Sequence, residues 1–115
     1  MTELRKNLEN IRAELEALYN AEYTDEEREE MENNGEACDL YSYFNDVLDY
    51  EYTISSRREY LGAKIWVTLG GPNIWIDTRA EQINGAWGNE RETIYISKDI
   101  AAEIDSIFEE LYNCY

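Results

Sequence analysis

In short runs between Tyr50 and Ile96 one set of apolar residues, mostly aliphatic, keeps to every second position, a period that demands extended backbone. Tyr50, Tyr52 and Ile54 alternate with Glu51, Thr53 and Ser55. Ala63, Ile65, Val67 and Leu69 alternate with Lys64, Trp66 and Thr68, and Ile74 and Ile76 with Trp75 and Asp77. INGAWG and RETIYIS follow, the latter with Ile94 and Ile96 opposite Tyr95. Short strands joined by tight turns form an antiparallel meander, and the aliphatic side of each strand marks the core face. Trp66, Trp75 and Tyr95 then share the other face, where they are either covered by a helix or line an interaction surface. GGPN, at 70–73, reads as a turn between two strands. Asn84-Gly85 fits either a type I′ hairpin turn or a glycine bulge within a strand.

On both sides of this region the period lengthens to that of a helix. Leu4, Leu8, Ile11, Leu15 and Leu18 recur at alternating gaps of four and three, one narrow stripe on a helix within 1–23. The stripe must meet a groove on the body, another helix or a second copy of the chain. With fewer than three full heptads, packing within the molecule is the expectation. Thr24 followed by Glu27 has the form of a capping box and opens a short helix to about Asn33, with Asn34 and Gly35 as its stop. Met31 is its one obvious apolar anchor, so this helix should project into solvent or be marginally ordered. Leu40, Tyr43, Phe44, Val47 and Leu48 share one face of a third helix. Ser97 caps a last one, on which Ile100, Ile104, Ile107, Phe108 and Leu111 form a broad apolar face. The expectation is an α+β fold in one domain over 1–115. Residues 1–49 form a mainly helical acidic part, 50–97 an antiparallel sheet of about four strands, and 98–115 a C-terminal helix.

Charge sets the partners. The formal net charge is −16, from 26 acids and 10 bases, and with no histidine it is not softened near neutral pH. A composition 43% hydrophobic, with ten tyrosines, still argues for a packed core rather than disorder. Phosphate backbones and anionic bilayers repel such a chain, so direct nucleic-acid and membrane binding are not expected, whereas basic protein surfaces attract it. The two cysteines, Cys38 and Cys114, stand in a chain with no recognisable secretory signal, so reduced thiols and a cytoplasmic setting are the simpler expectation.

Chemistry finds few footholds. Gly70 to Asn73 lie between two strands without the lysine and helix of a phosphate loop, and Pro72 removes one amide donor. Without histidine there is no ordinary nucleophile-base triad and no zinc-hydrolase set, and two isolated cysteines have no metal-ligand spacing. The acidic run lacks the ligand pattern of a calcium loop, leaving at most weak, nonspecific calcium or magnesium binding. No catalytic, cofactor or metal residues are assigned, and an enzyme is not expected.

The remaining signal is where the acids lie. Residues 21–51 hold twelve acids and one base, Arg28, whereas 61–96 hold four acids and three bases. As one continuous helix the acidic segment would span about 46 Å. Duplex DNA of that length carries about 27 phosphates, and folding the segment back as two helices would bring the two charge densities together. Tyr41, Tyr43, Tyr50 and Tyr52 interleave with these acids and are candidates for rigid contact area. The candidate partner-binding set is therefore Asp25, Glu26, Glu27, Glu29, Glu30, Glu32, Glu36, Asp39, Asp46 and Asp49, with Trp66 and Trp75 as the apolar anchor. A merely solvated acidic face is the plainer alternative.

Over about half the chain, from Leu48 to Tyr112, the motifs GGPNIWIDT, NGAWG and IDSIFEELY resemble small uncharacterised proteins of phages and mobile elements of Firmicutes. In size, acidity and lack of catalytic groups the chain also resembles anti-CRISPR and antirestriction proteins that imitate DNA, a likeness of character that transfers no motif residues. The resemblance implies an inhibitor that fills the basic cleft of a host defence nuclease, an RNA-guided CRISPR effector foremost, in the host cytoplasm. The alternative is an acidic, non-catalytic adaptor or regulatory protein, dimerising through the N-terminal stripe.

Overall fold

In the computed structural model, residues 2–47 and 49–114 are described, with Asp46 described through its backbone alone. Leu48 and the Asp46 side chain lie outside the described residues. The sheet has five antiparallel strands in sequential order, where the pattern suggested about four: β1 Asp49–Ile54, β2 Tyr60–Thr68, β3 Asn73–Asp77, β4 Gln82–Trp87 and β5 Glu90–Tyr95. The helices are α1 Glu3–Asn20, α2 Asp25–Asn33, α3 Leu40–Tyr43 and α4 Lys98–Asn113. The fold class is α+β, with helices before and after the sheet.

Register writes the core as a row. Tyr50 pairs with Ile65, Ile65 with Ile76, Ile76 with Ile83 and Ile83 with Ile94, so one line of side chains crosses all five strands on the inner face. The four isoleucines of that row are essentially inaccessible. α1 lies over β4 and β5, and α4 over β2, both on this inner face. Leu4, Leu8 and Leu15 are fully buried there, and Ile11 and Leu18 pack against the same core. The N-terminal stripe is thus used within the molecule, and each such leucine contributes about 2 kcal/mol by leaving water. From α4, Ile100, Ala101, Ile104 and Phe108 complete the core, and Ser97 Oγ accepts from Ile100 N at 3.2 Å to cap the helix.

Gly85 fits neither expectation made for it. It sits in regular register between Ile74 and Glu92, in the middle of β4. A Cβ there would stand 2.8 Å from Leu4 Cδ1 and 3.0 Å from Leu8 Cδ2, so glycine is what lets α1 approach the sheet. The tight hairpin is one step on, where Trp87 pairs with Glu90 around Gly88 at φ 61°.

The third helix is also shorter than its apolar pattern. One α turn, Leu40–Tyr43, passes into a 3₁₀ turn at Phe44–Asp46, and Val47 is already extended. Tyr50 must reach Ile65 in the sheet, which leaves no length for a further helical turn. Leu69, expected on the core face, is instead 52% exposed, because β2 ends at Thr68 after an irregularity that follows Trp66. Ile54 is likewise turned out by a register shift at the end of β1.

Candidate functional site

α2 is built by its ends rather than by its middle. Thr24 Oγ1 accepts from Glu27 N at 3.2 Å and donates to the Glu27 carboxylate, and three acids fill the first turn, where the helix dipole favours them. At the far end Gly35, at φ 74°, gives its N–H to Glu32 O, and Glu36 N reaches Met31 O at 2.8 Å, closing a Schellman motif. No residue of α2 is buried. At 100° per residue, Asp25, Glu26, Glu27, Glu29, Glu30 and Glu32 cover roughly 220° of the helix circumference. Arg28 and Met31 occupy the remainder.

That remainder faces α3. Arg28 Nη1 stands 3.5 Å from Asp39 Oδ2, so the one base of the acidic segment is engaged by an acid of the same segment. Asp39 has a second duty: its Oδ1 accepts from Ser42 N at 2.8 Å, while Ser42 Oγ accepts from Asp39 N, a capping box that starts α3. Between α2 and α3 lies an open hollow of about 280 Å³, lined by Arg28, Glu32, Glu36, Asp39 and Tyr41 among others. The radius of gyration, 14.8 Å, exceeds the ~13 Å typical of this length.

The predicted residues therefore form two groups. Asp25, Glu26, Glu27, Glu29, Glu30, Glu32 and Glu36 are exposed on and just after α2, while Asp39 is half-buried at the start of α3. The other group lies on the outer sheet face, where register aligns Asp49, Trp66, Trp75, Asn84 and Thr93 across five strands. Trp66 and Trp75 are stacked, with ring centroids 6.3 Å apart and planes 27° from parallel. Both are half-buried, and neither α1 nor α4 packs on their face. The adjacent row runs Glu51, Lys64, Asp77, Gln82 and Tyr95, the last 64% exposed. Asp77 and Lys64 were not among the predicted site residues. Counting alternation from the tryptophans would have placed them beside the pair.

Three of the four tyrosines offered as contact area are structural instead. Edge-to-face contacts link Tyr43 to Phe44, Phe44 to Phe108, Phe108 to Tyr50 and Tyr50 to Tyr52, at centroid distances from 5.1 to 5.5 Å. Tyr52 continues the chain to Tyr112 and Tyr60. Such pairs hold α3 and α4 to β1 by area and ring electrostatics together. Only Tyr41, 56% exposed, remains on the surface. Burial and the neighbouring Glu14 charge push the Tyr43 hydroxyl up to about 12. Burial and a 2.7 Å bond donated to Asp105 Oδ1 raise that of Tyr60 further.

Among the described residues no group of three or more acidic or cysteine side chains is placed to hold a metal ion, and no helix is long and apolar enough to cross a membrane. Cys38 and Cys114 are free thiols. GGPN forms the β2–β3 turn, with Gly70 N donating to Asn73 Oδ1 and Thr68 Oγ1 to Pro72 O. The chain matches no family model, no curated protein and no solved structure.

Proposed function

We propose that the protein is an inhibitor that binds the basic, nucleic-acid-binding cleft of a host defence nuclease as a DNA mimic, in the manner of anti-CRISPR or antirestriction proteins. The observation that carries this reading is α2: six acids on one capped helix, with no side chain committed to the core. Nine residues span about 14 Å, over which duplex DNA carries about eight phosphates, so the two surfaces present comparable charge to an opposing groove. Glu36 extends the acid beyond the helix, and Arg28, the one opposing charge of the segment, is offset by Asp39. Long-range attraction to a cleft of arginines and lysines would speed association, in the cytoplasm of the host where such a nuclease works. An RNA-guided effector, with its basic channel and arginine-read duplex motif, is the partner that fits best.

The test is competition. The protein should displace DNA from a basic CRISPR nuclease, and displacement should weaken steeply with salt. Reversing Glu26, Glu27, Glu29 and Glu30 to Lys should abolish it without unfolding the body, because none of the four is buried. Full inhibition by that variant would sink the mimic reading. The adaptor alternative, dimerising through α1, draws little support from a leucine stripe already docked on its own sheet. A concentration-dependent dimer in sedimentation equilibrium would revive it.

A further inference from the structure

We propose that the Trp66–Trp75 pair seats an arginine of the basic partner, the guanidinium stacked on the indoles and its charge set against Asp49. The proposal rests on the preceding reading for the sign of the partner's charge. The two rings are mutually stacked on directly paired residues, on a face that α1 and α4 leave open. Asp49 is paired with Trp66 and exposed, its Oδ1 accepting from Tyr50 N at 2.9 Å and its second oxygen free of any described hydrogen bond. Glu51 and Asp77 stand in the next row on either side of Lys64, so acids outnumber bases around the pair. Arg79 lies further along, over Gly62. On the other side Thr93 Oγ1 donates to Asn84 Oδ1 at 2.7 Å, so these two polar groups satisfy one another.

An aromatic surface rimmed by carboxylates selects for a planar cation. Guanidinium stacks on an indole and still directs its N–H groups sideways to a carboxylate, whereas an ammonium is a compact, strongly hydrated charge. Arginine is therefore the occupant, in preference to lysine. A nucleic acid or an anionic membrane would meet Asp49, Glu51 and Asp77 with like charge.

The experiment measures fluorescence anisotropy of two labelled peptides of equal length and charge, one arginine-rich and one lysine-rich. Wild type should bind the arginine peptide about three- to fivefold more tightly, the scale of an exposed cation–π contact. Asp49→Asn, which keeps the acceptor for Tyr50 N, should reduce that preference. Trp66→Leu with Trp75→Leu should erase it. Should the double variant fail to fold by circular dichroism, the Asp49→Asn result decides alone. Equal binding of both peptides by wild type, or a preference unchanged in a folded variant, overturns the proposal. So does binding of a neutral oligosaccharide that the arginine peptide fails to displace. Reversing the four α2 glutamates should weaken both peptides alike and leave the preference, which separates failure of this site from failure of the mimic.

Discussion

Leu4 Cδ1 occupies the space that a side chain on Gly85 would need: a Cβ there would lie 2.8 Å from it. Leu4 is fully buried, so any shift it makes must be taken up within the packed core. Gly85→Ala should therefore lift α1 from β4 and cost about 1–3 kcal/mol, as overpacking does in a filled core. Urea unfolding measures this directly. Ala86→Gly, one residue on and facing the opposite side, supplies the strand control: it should cost no more than about 1 kcal/mol.

Tyr60 Oη donates to Asp105 Oδ1 at 2.7 Å, tying β2 to α4. Tyr60→Phe should cost about 1–2 kcal/mol at neutral pH, a hydrogen bond to a charged group. The tyrosine also sets an alkaline limit. Its folded pKa is raised above the unfolded value of about 10, so its stabilisation is complete below that pH and is lost as pH rises beyond it. Tyr43, pushed up to about 12, acts in the same direction between those two values. The gap in urea midpoint between wild type and Tyr60→Phe should accordingly narrow above pH ~10.

Thr24 Oγ1 holds the first turn of α2 through Glu27 N. Thr24→Ala should cost that helix about 1 kcal/mol. Since no α2 residue is buried, the loss should be local: faster amide exchange over 25–33, with the global unfolding midpoint unchanged. A fall in that midpoint would mean that α2 supports the core after all.

Salt should move stability and binding in opposite directions. Raising NaCl from ~0.02 to ~0.5 M shortens the screening length severalfold and relieves repulsion within a chain of net charge −16. The thermal midpoint should rise while competition with DNA falls. Competition that stayed constant across this range would argue against a charge-driven interface.

Much of this fold is legible in the chain because its signals are local. A stripe at Leu4, Leu8 and Leu15 needs only helical period, and Gly35 needs only a helix to end. What escaped the sequence is set by partners distant along it. Gly85 answers to Leu4 and Leu8, α3 is cut short by the pairing of Tyr50 with Ile65, and Leu69 is turned out where β2 ends. The candidate site divides the same way. The acids of α2 could be read from composition, but the alignment of Asp49 with Trp66 and Trp75 required the register. Tyr50 and Tyr52 looked like surface because Asp49 and Glu51 flank them in sequence, while their neighbours in space are Phe108, Tyr60 and Tyr112.

A helix that the core does not use is also one that the core does not police. Substitutions on such a surface typically change stability by less than about 0.5 kcal/mol, well inside the margin by which a small domain stays folded. The acids of α2 can therefore be gained, lost or shifted along the helix in single steps, each yielding a foldable protein. An opposing protein that altered its basic groove could be followed residue by residue, with the sheet and its two packed helices as an unchanging chassis.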